Sequence, residues 1–344
     1  MVDAPSSERW VSVGVTAGER WRGGNASMMR NTTRVTAEQR RVRLVPDAED
    51  LSERLVEALN GAYGVHAGHR AAHAKGVLCA GTFTASPAAG AISRAVHFQG
   101  APSRAHVRFS NGGGDPTVPD TTRDARGIAL KLYLEDGTTT DVIGITLPCF
   151  FVRTPEDFIA FTKARLEPEK LMPDFLGAHP EALPAIQAAL GADPPESYAT
   201  STYNAIHSFR WIDAGGGSRW VRYRFEPEAG ERTLPGDEAK ARGRDYLQEE
   251  ILARGETAFR LLVILGQEGD EIDDPTVAWP PEREQVEVGR LVLTGPDTER
   301  ERDGDILVFD PTRLVAGIEM SDDPILRFRP RAYSASVERR TAGA

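Results

Sequence analysis

The chain has 344 residues, with 41 Lys+Arg against 51 Asp+Glu, 40% hydrophobic residues and 2 Cys. That length admits one large domain or two ordinary ones, and the apolar content is too high for wholesale disorder. A formal charge of −10 argues against a general nucleic-acid binder, which needs a basic face, and fits a cytoplasmic protein.

Residues 1–46 are rich in Arg, Ser, Thr and Gly without period and read as a loosely ordered arm, leaving 47–344 as a single domain. Trp10 to Val15 is interrupted by Ser12 and Gly14, too short for a secretory core. From Asp47, DAEDLSERLVEALNGAYG predicts a helix: Leu51, Leu55, Val56 and Leu59 share a face, acids crowd the first turn and Gly61 follows the last apolar residue. After His73-Ala-Lys-Gly76 the pattern turns to period two. Half-buried strands are predicted in RAHVRFS (104–110), at Ile128, Leu130, Leu132 and Leu134, and at Val221, Tyr223 and Phe225; 140–146, 257–266 and 286–294 are further candidates. Helical spacing returns over 155–166, 180–190 and 236–253. The longest uninterrupted apolar run, Leu261–Leu265, falls far short of the roughly 20 residues of a membrane helix. With no repeat and no long linker, the expectation is an α+β fold: an antiparallel sheet or barrel with flanking and inserted helices.

Four blocks carry candidate chemistry. His73 stands at the junction of the first helix and the first strand, where a side chain can enter a cavity; the plainer reading is a hydrogen-bonded structural histidine. His66, His69 and His73 suggest a metal site only weakly, because no carboxylate or thiolate lies among them and Gly64 and Gly68 oppose a rigid helix. The block from Val107 to Tyr133 reads as an ordered loop between strands, in which Arg123, Asp124 and Arg126 lace the loop by ion pairing or serve a site. Phe150, Phe151, Phe158 and Phe161 form either a wall for a flat cofactor or simple core. Arg329 and Tyr333, at i and i+4, place a guanidinium beside a phenol, which favours phenolate and metal binding; Pro330 between them is tolerable in a first turn. Cys79 and Cys149 belong to no CxxC motif, so no disulfide framework or zinc site is expected; both read as buried small hydrophobes, Cys149 beside the aromatic block.

Taken in order, RAAHAKG (70–76), VRFSNGGG…TTRDARGIALKLY (107–133), DVIGITLPCFFVRTPEDF (141–158) and FDPTR…GIE…SDDPILRFRPRAY (309–333) resemble the heme catalase superfamily, and most of all its short catalase-related peroxidases. The likeness spans about 47–340. It implies a heme b enzyme on a catalase-like antiparallel β-barrel. By that resemblance His73 is the distal histidine, Ser110 the serine that orients it, Tyr333 the axial ligand of the heme iron and Arg329 its partner. Arg70 and Arg108 match arginines that hold heme propionates, and Phe158 an aromatic against the porphyrin. Full-length catalases carry asparagine where Ile145 stands, and isoleucine donates no hydrogen bond.

The resemblance therefore implies a peroxidase that reduces hydrogen peroxide or organic hydroperoxides through a ferryl intermediate, using a small organic reductant. Homo-oligomerisation is left open. The alternatives are dismutation of hydrogen peroxide, lyase or isomerase action on lipid hydroperoxides, and a heme-binding module without turnover. Retention of His73 beside Arg329 and Tyr333 weighs against the last, since a passive binder needs no acid-base group.

Overall fold

The computed structural model describes residues 46–300 and 306–342, all within a unit spanning 45–344. The expected arm over 1–46 lies outside the described residues except for Pro46. Ten strands follow in chain order: β1 (Gly76–Ala85), β2 (Ser103–Asn111), β3 (Arg126–Tyr133), β4 (Thr139–Ile145), β5 (Tyr203–Asn204), β6 (Phe209–Ile212), β7 (Ser218–Pro227), β8 (Thr257–Leu265), β9 (Gln285–Pro296) and β10 (Ile318–Met320). Strands β1-β2-β3-β4-β5-β7-β8-β9 pair antiparallel in that order and β9 returns to β1, closing an eight-stranded barrel. Two strands lie outside the ring. β6 pairs with the first part of β7, beside β5, and carries β10.

Alternation decides what each barrel strand buries. On β2, Ala105, Val107 and Phe109 turn inward and are fully buried, joining Ile128 and Leu130 of β3, Phe225 of β7, Phe259 of β8 and Leu291 of β9. Phe109 stacks on Tyr198 at 5.5 Å between ring centres and tilts against Phe259 at 5.9 Å. The sequence predicted half-buried strands, but β2 is covered on both sides: the outward-facing His106, Arg108 and Ser110 are also buried. Helices and the segment leading to the last helix roof that outer face, so polar residues there are enclosed rather than wet.

The helices are α1 (Pro46–Tyr63), α2 (Pro87–Ile92), α3 (Pro155–Ala164), α4 (Pro168–Ala178), α5 (Leu183–Gly191), α6 (Gly236–Lys240), α7 (Tyr246–Ala253) and α8 (Pro324–Ala342). Helix α3 starts where its sequence dictates: Thr154 accepts from the Asp157 amide, Pro155 opens the first turn and two acids face the helix dipole. Leu55 and Leu59 of α1 pack on Ile159 of α3. The helix expected over 180–190 begins as a tight turn at Pro180–Ala182 and becomes α5 only from Leu183. The single helix expected over 236–253 is broken into α6 and α7. Between them the Arg244 carbonyl accepts from buried Lys75 at 3.1 Å, and the Asp245 carboxylate pairs with it at 2.7 Å, contacts a continuous helix would not offer. Helix α4 was not expected; it contains Pro173, which hid its periodicity. Among the described residues no helix is long and apolar enough to cross a membrane.

Candidate active site

The outer face of β2, β3 and β4 forms one wall of a cavity of about 650 Å³. Register sets its two rows. Ser110, Gly127 and Ile145 face one another across the three strands, and Arg108, Ala129 and Ile143 make the next row. Helices α1, α3, α4 and α5 supply apolar lining through Leu55, Leu59, Phe158, Phe161, Met172 and Ala189, while α8 contributes Arg329 and Tyr333. Every site residue expected from the sequence lines this cavity: Arg70, His73, Arg108, Ser110, Phe158, Arg329 and Tyr333. Cys149 does not; it packs on Leu147 and Ala185 beneath, whereas Phe150 and Phe151 reach the lining. Cys79 is buried in the barrel core, where burial pushes its thiol up to about 12.

His73 sits over the first row. Its Nδ1 lies 3.0 Å from Ser110 Oγ, and its ring lies so close to Gly127 that a Cβ there would come within 3.1 Å of Nδ1. Any larger residue at 127 would displace the imidazole. His73 has φ of 55°, the one positive value among the described non-glycine residues, a conformation that costs about 1–3 kcal/mol unless its surroundings enforce it. They do. The His73 amide donates to the Gly112 carbonyl at 3.2 Å and the Ala74 amide to Gly113 at 3.0 Å; Gly114 lets the two segments approach, since a Cβ there would collide with the Ala71 carbonyl. Arg108 donates from Nη1 to the His73 carbonyl at 2.9 Å and from Nη2 to Ala74 at 3.1 Å. Gly76 makes room for that guanidinium, since a Cβ there would meet it at 2.9 Å. Burial, with the positive fields of Arg108, Arg329 and Arg70, lowers the His73 pKa from 6.5 to about 4, so the imidazole is neutral at pH 7.

On α8, Arg329 Nε donates to Tyr333 Oη at 2.8 Å, fulfilling the expected i, i+4 pairing. Pro330 is not in a first turn: the helix starts at Pro324, so the proline lies in its interior. Burial raises the Tyr333 pKa and the Arg329 charge opposes that rise. Sequence reasoning missed two partners of this pair. His207 Nε2 lies 2.8 Å from Arg329 Nη1, and His207 Nδ1 lies 2.6 Å from Asp323 Oδ2. A guanidinium can only donate, so Nε2 accepts and Nδ1 carries the hydrogen given to Asp323. Asp323 also accepts from the Ile325 amide at 2.8 Å, so one carboxylate caps α8 and anchors the chain Asp323–His207–Arg329–Tyr333. An aspartate just before a helix-opening proline was the available signal; His207 offered none.

Arg126 laces its loop by capturing the carbonyls of Asp120, Thr122 and Asp124, each at 2.8 Å, rather than by pairing with a neighbouring acid. Arg123 turns instead to Asp193, at 2.9 Å. Among the described residues lining the cavity, Arg70, Arg108, Arg123, Arg165, Arg329 and Arg340 accompany a single acid, Asp124. A chain of charge −10 thus encloses a cationic, otherwise apolar chamber. The weakly suggested metal site is not assembled: His66 Nε2 bonds the Tyr63 carbonyl at 2.8 Å, and no cluster of three or more His, Cys, Asp or Glu suited to a metal ion occurs among the described residues.

A family model described as Catalase matches residues 28–344. The chain is 43% identical over 297 residues to a catalase-related peroxidase of Mycolicibacterium paratuberculosis, covering 84% of this chain and 94% of that one. It is 33% identical over 302 residues to a catalase-related peroxidase of Synechococcus elongatus, covering 85% and 89%. A fungal catalase crystal structure superposes with a TM-score of 0.69 at 26% identity, over 78% of this chain and 58% of the catalase.

Proposed function

Because the chain belongs to the catalase family, we propose that it is a heme b peroxidase that reduces hydrogen peroxide or an organic hydroperoxide with electrons from a small organic donor. Membership makes it an oxidoreductase of the heme peroxidase type, acting on peroxide. The heme type, the donor and the residue roles are the proposal. The observation that carries them is the joint presence of His73 and the Arg329–Tyr333 pair in one cavity.

The residues present suit the group. The chamber has apolar walls for a porphyrin, a phenol oxygen for ferric iron and an excess of arginines for carboxylates. Tyr333 would hold the iron, Arg70 and Arg108 the propionates, and Phe158 the ring face. When bound, heme supplies the oxidising chemistry that breaks the O–O bond, and the protein supplies orientation and proton transfer. Arg329 stabilises negative charge on Tyr333 Oη by its 2.8 Å hydrogen bond, and the His207–Asp323 pair fixes the guanidinium. Ser110 engages His73 Nδ1, leaving Nε2 to take the proton from the inner peroxide oxygen and hand it to the outer one. A pKa near 4 keeps the imidazole neutral at rest and makes the transferred proton quick to leave; with Nδ1 donating to Ser110 Oγ, Nε2 is the free acceptor.

Ile145, in the row beneath His73, presents hydrocarbon where dismutation would call for an amide donor. It favours organic partners over a second hydrogen peroxide. The same apolar wall favours, as a second reading, donor-independent rearrangement of lipid hydroperoxides; oxidation that stops without added donor separates the two. In the heme-loaded protein, His73→Ala is expected to keep the heme absorption and lower donor oxidation by about 100-fold or more. Undiminished donor oxidation would remove His73 from the mechanism.

A further inference from the structure

A peroxidase that oxidises donors one electron at a time needs a route from the donor to the oxidised cofactor, and the cavity wall contains one group suited to it. Among the described lining residues there is no tryptophan and no cysteine, and the tyrosines are Tyr63 and Tyr333. Tyr333 is taken by the reading above as the iron ligand. Met172 also lines the chamber, but a thioether is oxidised by oxygen transfer and does not return the electron.

Tyr63 ends helix α1, and its ring borders the cavity while its hydroxyl points to the rim. There the exposed Arg165 donates from Nη1 to Oη at 2.6 Å, and its guanidinium lies 5.4 Å from the ring centre. Gly113 lies between the ring and the carboxylate of Asp124: a Cβ at 113 would be 3.5 Å from Tyr63 Cε1 and 3.7 Å from Asp124 Oδ2. The phenol therefore joins the interior to the surface, where solvent can take its proton. Burial raises its pKa against the opposing charge of Arg165, with a smaller push from Asp124, so it starts protonated and its proton must move when an electron leaves.

We propose that Tyr63 is the one-electron relay through which organic donors at the cavity rim reduce the peroxide-oxidised cofactor. This rests on the peroxidase reading. In each relay step an electron passes from the Tyr63 ring to the cofactor and the Oη proton passes to solvent at the rim, leaving a neutral phenoxyl radical. A phenolic donor at the rim then returns one electron and one proton, restoring Tyr63 and departing as its own radical. Two donors are consumed for each hydroperoxide, which leaves as alcohol and water. A donor too bulky to enter the chamber is thereby oxidised from outside.

The test uses heme-loaded full chain treated with peroxide, first without donor and then with a bulky phenol. Electron paramagnetic resonance and a nitroso spin trap, with the adduct located by mass spectrometry, are expected to give a tyrosyl signal with the adduct on Tyr63. Tyr63→Phe is expected to lose the signal and to lower phenol oxidation by about tenfold or more. Tyr133→Phe, which alters a phenol outside the cavity bonded to His106 at 2.8 Å, is expected to keep both. An adduct on a different residue, or Tyr63→Phe with the signal intact and phenol oxidation within about twofold of the parent, would overturn the relay and leave the peroxidase reading standing. A parent protein without a heme band or without any reaction to peroxide would overturn both.

Discussion

Strand β2 serves two regions with opposite demands, the barrel interior and the cavity wall. Inward, Val107 and Phe109 are fully buried and do nothing but fill space. Outward, Arg108 and Ser110 are buried too, yet Ser110 Oγ and Arg108 Nη1 engage His73 and Arg108 Nη2 the next carbonyl, that of Ala74. Both faces exclude water, so burial alone does not tell core from site. The difference lies in tolerance: the interior is sensitive to lost volume and the wall to lost hydrogen bonds. Because successive residues alternate, a one-residue slip of β2 would exchange the two sets, so the register that builds the barrel also aims the site.

The largest effect expected from breaking this division is on the inner face. Phe109→Ala should destabilise the fold by about 3–5 kcal/mol, read from chemical denaturation. Molecules that remain folded should retain the heme spectrum; loss of heme at unchanged stability would place Phe109 in the wrong region. Ser110→Ala should do the reverse. Without its hydroxyl partner the His73 ring is free to turn, so donor oxidation should fall about tenfold while denaturation shifts by no more than about 1 kcal/mol. A stability loss comparable to that of Phe109→Ala would erase the distinction between the faces.

Acid should have the smallest effect on the chemistry. With its pKa at about 4, His73 stays neutral between pH 7 and 5, and the donor-oxidation rate should be flat there before falling toward pH 4. Stability should behave differently. The unfolded imidazole binds its proton near 6.5 and the folded one only near 4, so the unfolded state holds more protons in that window and His73 costs stability as pH falls from 6.5 to 4. A rate that halves near pH 6.5 instead would mean that burial and the neighbouring arginines do not act on His73 as the geometry implies.

Most of the strands were legible because alternation is a local signal: 104–110, 140–146, 257–266 and 286–294 all correspond to barrel strands within a few residues. The breaks were not. The gap within 236–253 holds Gly243 and closes on Lys75, far away in sequence, and what fills the second face of β2 is a set of helices whose docking no local pattern announces. The candidate site divides in the same way. Arg329 and Tyr333 were readable from an i, i+4 spacing, His73 from its place between helix and strand and Phe158 from its aromatic neighbours, whereas Ser110, Arg70 and Arg108 became candidates only through the resemblance of four ordered blocks. The structure gathers all of them into one chamber. His207, Asp323 and the left-handed backbone of His73 stayed hidden, because each has meaning only through contacts closed by the tertiary fold.

The central requirement is a cofactor held between the barrel wall and α8, and one visible absorption series tests that most directly. The purified protein should carry the absorption of ferric heme with a phenolate ligand, change it on addition of peroxide, and return to the starting spectrum when an organic donor is added. A protein that takes up no heme, or whose heme spectrum is unmoved by peroxide, would contradict it.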